Sequence, residues 1–216
     1  MAFPDYLNQT FVEVLGYPLS FLELFGTLTG LVTVWLAARA HILTWPTGLV
    51  NNLAFFLLFY QVQLYADMLL QIYFFVLSLY GWWHWQRSPG TTTGNISVLT
   101  LRQRLWLGIG AGATVALLGF GMSGIHRHLP RLFPQPAAYP YADAFTTVLS
   151  ILATGVMARK KIECWVLWIL VDGVSMGLYS LRGTQLIALE YAVFLIICIF
   201  GFTQWLRLYA YRTSTW

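Results

Sequence analysis

The stretch Trp45-Pro46-Thr47-Gly48-Leu49-Val50-Asn51-Asn52 decides the fold, because it returns 120 positions later as Trp165-Val166-Leu167-Trp168-Ile169-Leu170-Val171-Asp172. A Trp opens each copy and a polar residue closes it, Asn52 in one and Asp172 in the other. Outward from this pair, residues 21–87 align with 141–207 without a gap. Apolar matches such as Phe25/Phe145, Leu58/Leu178 and Phe74/Phe194 carry little weight, since apolar segments coincide by composition. Arg39/Arg159, Trp45/Trp165, Gly81/Gly201, Trp85/Trp205 and Arg87/Arg207 carry more. Such an offset marks an internal repeat.

What is repeated is membrane-spanning. Hydrophobic residues make up 58% of the 216 residues and charged ones only 9%, where a soluble domain carries about 25% charged. A crossing helix needs about 20 mostly apolar residues. Seven stretches qualify: 20–38, 43–62, 66–86, 104–123, 142–158, 163–181 and 185–207. Thr91–Thr93 and the Pro-rich run 130–140 mark the two longest connections. The expected fold is therefore an all-α membrane protein of seven transmembrane helices, as two three-helix repeats (20–87 and 141–207) joined by a linker with the fourth helix (88–140). Residues 1–19 read as an interfacial segment without the basic start of a signal peptide, and 208–216 as a cytoplasmic tail.

Because four crossings separate the repeats, both run through the bilayer in the same direction. A parallel repeat implies a pseudo-two-fold axis along the membrane normal, with a substrate site near the midplane between the halves. Charge gives the orientation. Of the twelve Lys and Arg, Arg39, Arg87, Arg102, Arg104, Arg159, Lys160, Lys161, Arg207 and Arg212 fall on one side, and only Arg127, Arg131 and Arg182 on the other. The positive-inside rule places the N-terminus outside and the C-terminus in the cytoplasm. These cations are scattered in short loops, so the net charge of +4 does not point to nucleic acid.

Polar residues inside spans are costly and mark function by default. Trp165, Trp168 and Asp172, spaced i, i+3, i+7, share a helical face, and Trp45, Gly48 and Asn52 share the equivalent one. Aromatic planes beside amides and a carboxylate suit a flat ring bearing hydroxyls, cationic rings included. The substrate-site candidates are Trp45, Asn51, Asn52, Gln71, Trp165, Trp168, Asp172 and Tyr191, with Tyr73, Tyr179 and Glu190 as secondary ones. Other readings stand beside these. Trp45 and Trp165 lie at helix starts, where Trp anchors at the lipid interface, and Asn51 and Asn52 suit helix–helix hydrogen bonds. Gly108, Gly110 and Gly112 suit close helix packing, and Cys164 and Cys198 read as small core residues. His126 and His128 lie too near solvent to suggest a metal site, and His84 reads as interfacial. No phosphate loop, HExxH, GxSxG or paired catalytic carboxylates occur, so neither an enzyme nor a cofactor is expected, though a membrane enzyme or assembly factor is the reading from another class.

The segment 45–52, followed by Leu64-Tyr65, Leu70-Gln71 and Tyr80-Gly81-Trp82, together with Trp165-x-x-Trp168-x-x-x-Asp172, resembles the bacterial Pnu family of vitamin transporters over nearly the whole chain. The resemblance implies the three-plus-one-plus-three fold of the SWEET sugar transporters, in a homotrimer of the bacterial inner membrane. It implies uptake of nicotinamide riboside by facilitated diffusion, with thiamine or riboflavin as the family's other substrates. It also implies that Trp165 and Trp168 lie against the aromatic base, and that Asn51, Asn52 and Gln71 serve the polar parts. Arg182-Gly183-Thr184-Gln185 and Glu190 depart from the family pattern.

Overall fold

The computed structural model describes residues 10–14, 16–61, 65–87, 96–128 and 136–213. Thr91–Thr93, most of the Pro-rich run, Arg131, Leu64 and the last residues of the tail lie outside them. Among the described residues there are seven helices: α1 Phe21–Ala38, α2 Thr44–Gln61, α3 Tyr65–Arg87, α4 Leu101–His128, α5 Pro140–Ala158, α6 Glu163–Leu181 and α7 Gln185–Thr213. Five of them, α1, α4, α5, α6 and α7, are long and apolar enough to cross a membrane. The Asn51-Asn52 pair lowers the apolarity of α2, and α3 is rich in Tyr and Trp. α4 outruns its apolar stretch at both ends, since Arg102, Gln103 and Arg104, and then His126 to His128, continue the helix beyond the hydrophobic signal.

One departure from an all-helical chain precedes α1. β1 (Thr10–Val14) and β2 (Tyr17–Ser20) form an antiparallel hairpin, pairing Val12 with Leu19 and Val14 with Tyr17. Gly16, at φ +78°, makes the turn, a conformation open to Gly at little cost. The strand then becomes a helix through a capping box. Ser20 Oγ accepts from Glu23 N at 3.2 Å, and Glu23 Oε2 accepts from Ser20 N at 2.7 Å, so two backbone donors at the helix start are satisfied together.

Within each half the helices pack in sequence order, α1 on α2 on α3 and α5 on α6 on α7; between halves, α1 packs on α7 and α3 on α5. Lipid tails are as apolar as Leu, so close packing rather than hydrophobic burial must hold such helices together. The two halves achieve it in the same way. The Trp45 ring lies against Gly81, where a Cβ would collide with it. The Trp165 ring likewise lies against Gly201, whose Cβ would stand 2.7 Å from it. Trp45 meets Trp85 edge-on at 5.3 Å and 87°, and Trp165 meets Trp205 at 5.6 Å and 83°. Trp85 and Trp205 then touch each other across the midline at 6.1 Å. With Trp45 3% and Trp165 0% exposed, neither anchors at the lipid interface; both are wedges in the core. Each half also turns out of its first helix through a left-handed residue at the same register, Ala40 (φ 52°) and Lys160 (φ 53°).

α4 is different. It packs on α5, and Leu117 and Phe120 are each 74% exposed. Nothing approaches the positions a Cβ would take at Gly108, Gly110 and Gly112, so these glycines do not serve close packing within the chain; Gly119, against the Tyr141 ring, does. The start of α4 is tied to the α5–α6 turn. Ser97 N donates to Lys160 O, and Ile162 N to Ser97 O. Glu163 accepts from Leu99 N at 2.9 Å and pairs with Arg104 at 2.7 Å.

Candidate ligand-binding cavity

A cavity of about 720 Å³ opens between the halves, within the range of small-molecule sites (about 300–1,000 Å³). It runs alongside α1 from Glu23 to Ala37, roughly 21 Å at the helical rise. One end of it is lined by the partly exposed Tyr17, Glu23, Tyr179 and Leu186, and the other by the buried Ala37, Trp45 and Met157. Tyr17 is supplied by the hairpin, which therefore borders the partly exposed end. The Tyr17 hydroxyl donates to Glu23 Oε1 at 3.5 Å, and burial and that adjacent carboxylate push it above its ordinary pKa.

Nine of the eleven sequence candidates line this cavity: Trp45, Asn51, Asn52, Gln71, Trp168, Asp172, Tyr179, Glu190 and Tyr191. Trp165 and Tyr73 do not. Trp165 shares a helical face with Trp168 but sits one turn nearer the helix start, and there the slot at Gly201 takes its ring. Tyr73 points to a second groove, outside the bundle between α3, α4 and α5.

The polar groups divide into those already engaged and those left for a ligand. Asn51 Nδ2 donates to Gly26 O at 2.7 Å and to Thr29 Oγ1 at 3.3 Å. Its donors thus serve the α1–α2 contact, and only its amide oxygen is left to offer. Asn52 Nδ2 donates to Ser78 Oγ at 3.3 Å. At the equivalent positions of the second half, Cys198 and Asp172 both line the cavity. Asp172 Oδ2 has no hydrogen-bond partner among the described residues, nor do Trp168 Nε1 and Trp45 Nε1. Buried polar atoms without partners cost free energy. An acceptor and two indole donors around one cavity therefore favour a ligand that supplies both donors and acceptors.

Aromatic groups complete the walls. Tyr179 and Tyr191 stack at 5.5 Å and 10°, and Tyr191 meets Phe194 edge-on. Glu190 and Thr27 of α1 both line the cavity. Several lining residues escaped the sequence reading, among them Glu23, Thr27, Ser78, Phe194 and Cys198. Ser78 and Cys198 were within reach, since they occupy the same repeat position. The capping signature Ser20-x-x-Glu23 was a second signal. Among the described residues, no group of His, Cys, Asp and Glu could hold a metal ion.

Residues 20–207 match the family model described as nicotinamide mononucleotide transporter. The nicotinamide riboside transporter PnuC of Escherichia coli (strain K12) is 32% identical over 211 residues, covering 89% of this chain and 87% of that protein. The riboflavin/roseoflavin transporter RibM of Streptomyces davaonensis is 26% identical, covering 93% and 92%. A solved crystal structure of the vitamin B3 transporter PnuC superposes with a TM-score of 0.65 at 23% identity, covering 87% of this chain and 81% of that one.

Proposed function

The chain belongs to the nicotinamide mononucleotide transporter family, and from that membership we propose that it carries nicotinamide riboside across the bacterial inner membrane by facilitated diffusion. The observation that carries the substrate is the sign of the cavity. Glu23, Asp172 and Glu190 line it, and no Lys, Arg or His does among the described residues. Nicotinamide riboside is a pyridinium cation, flat at one end and rich in hydroxyls at the other. Its ring fits against Trp168 and the Tyr179/Tyr191 pair, with carboxylates near the positive charge. Asn52, Gln71, Trp45 and the oxygen of Asn51 serve the ribose and the carboxamide. The mononucleotide adds a phosphate dianion, which a cavity with carboxylates and no basic side chain repels.

The same reading takes all seven helices as spans, three plus one plus three in parallel repeat, with the N-terminus outside and the protein assembled as a homotrimer. The shared Trp–Gly wedges and the matched left-handed turns support the repeat. Below Asp172 the cavity ends on Ala37, Trp45 and Met157, which do not titrate, and this favours an uncoupled carrier.

Calorimetric titration of the purified protein with nicotinamide riboside, the mononucleotide, thiamine and riboflavin tests the reading. The expected order is the riboside first, with the mononucleotide at least about tenfold weaker because a charge is misplaced, and riboflavin not bound. Binding of riboflavin or thiamine in preference to the riboside overturns the substrate and leaves the carrier.

A further inference from the structure

The groove outside the bundle that receives Tyr73 has a chemistry of its own. α3 and α4 both pack on α5 and leave between them a channel of about 720 Å³. Its floor is α5 at Ile151, Leu152 and Gly155, and no atom lies within 4 Å of where a Gly155 Cβ would stand. Along α3 it extends from Tyr73 to Tyr80, roughly 10 Å, or about a third of the hydrocarbon core. One end carries Arg102, Arg159 and Lys161, and no acidic residue lines it among those described.

We propose that this groove binds an anionic phospholipid, its phosphate held by Arg102, Arg159 and Lys161 and one acyl chain laid along the α5 floor. Three observations favour a lipid over a second copy of the chain. The cations stand at the bundle end where nine of the twelve Lys and Arg gather, the level at which headgroups lie. Basic pockets between helices at that level suit anionic headgroups. Among the described residues, Glu163 is the acidic side chain at that end, and it is already paired with Arg104. A second copy in the same orientation therefore brings no carboxylate to neutralise the three cations, whereas a phospholipid brings its phosphate. Finally, the groove turns from charged to apolar along its length, as a phospholipid does.

The test is native mass spectrometry of the full-length protein in detergent, with equal amounts of dioleoyl phosphatidylglycerol and dioleoyl phosphatidylcholine. The wild type is expected to retain phosphatidylglycerol about tenfold over phosphatidylcholine. The double variant Arg102→Gln/Arg159→Gln is expected to lose that preference. Gly155→Leu, whose Cβ would meet no neighbouring atom within 4 Å, is expected to lower phosphatidylglycerol retention with the cations intact. Equal retention of the two lipids by the wild type overturns the proposal, as does a preference that survives in the double variant. Displacement by glycerophosphoglycerol, the headgroup without chains, at the same concentration as intact lipid would leave a phosphate site and no lipid groove. A Leu77→Cys protein that cross-links to a second copy in membranes would show the groove filled by protein.

Discussion

The two halves share a scaffold and differ at the cavity. Trp45 on Gly81 and Trp165 on Gly201 are near-equal wedges, and the bonded pair Asn52–Ser78 has Asp172 and Cys198 at the equivalent positions. Three register positions then break the likeness. Gly48 corresponds to Trp168, Asn51 to Val171, and Gln71 to Tyr191. At these positions the first half supplies two amides and the second two aromatic planes, Trp168 and Tyr191. A ligand with a flat cationic end and a hydroxylated end is itself asymmetric, so a symmetric cavity would fit it badly. Packing keeps the repeat wherever backbones must approach, and ligand chemistry erodes it wherever they need not.

The sharpest test of this division sits at the wedges. Trp165→Ala should cost about 3–5 kcal/mol of stability, as for other fully buried aromatic residues, read as a lower unfolding temperature in detergent. A Trp165→Ala protein that melts normally but no longer binds substrate would return Trp165 to the site. Trp168→Ala should do the opposite. Its melting should hold while affinity for the riboside falls about thirtyfold, in line with the value of about 1–3 kcal/mol for stacking a base on an aromatic side chain, by calorimetry. Unchanged affinity would remove stacking from the account. Asp172→Asn copies the first half into the second. Affinity for the cationic riboside should drop about tenfold, while the neutral dihydropyridine form of the riboside should bind as before; equal losses for both would assign Asp172 to hydrogen bonding alone. The smallest effect concerns the matched turns. Ala40→Gly should stabilise by up to about 1 kcal/mol, because a side chain in a left-handed conformation is strained. Lys160→Gly should gain less, because it removes an ammonium 4.9 Å from the centre of the Trp85 ring. A larger gain at Lys160 would mean that its ammonium does not stabilise the core.

The helices were legible in the sequence because hydropathy reports directly on the medium. α6 begins and ends where its apolar run does, at 163 and 181. Hydropathy is blind where helix outlasts lipid, as at both ends of α4. Asn51 and Asn52, which line the cavity, lower the apolarity of α2. The hairpin was missed because Phe11 and Val12 break the alternation of a strand; five residues with a bulge are a faint signal beside twenty. Much of the cavity was legible through the repeat, which paired Asn52 with Asp172 and Gln71 with Tyr191. Trp165 misled because helical periodicity gives direction around an axis and not depth along it. Its distance from the cavity was set by Gly201, thirty-six residues away in sequence.

The indoles at the midline also bear on how the halves could part. Trp85 of the first half donates its N–H to Ala158 O of the second, at 3.2 Å, and Trp205 of the second donates to Ala37 O of the first, at 3.0 Å. The two bonds cross like a clasp with a hook on each side. Parting the halves here would break both, since each tethers a different helix of the opposite half. At about 1 kcal/mol net apiece, the two together hold this end of the interface by about 2 kcal/mol.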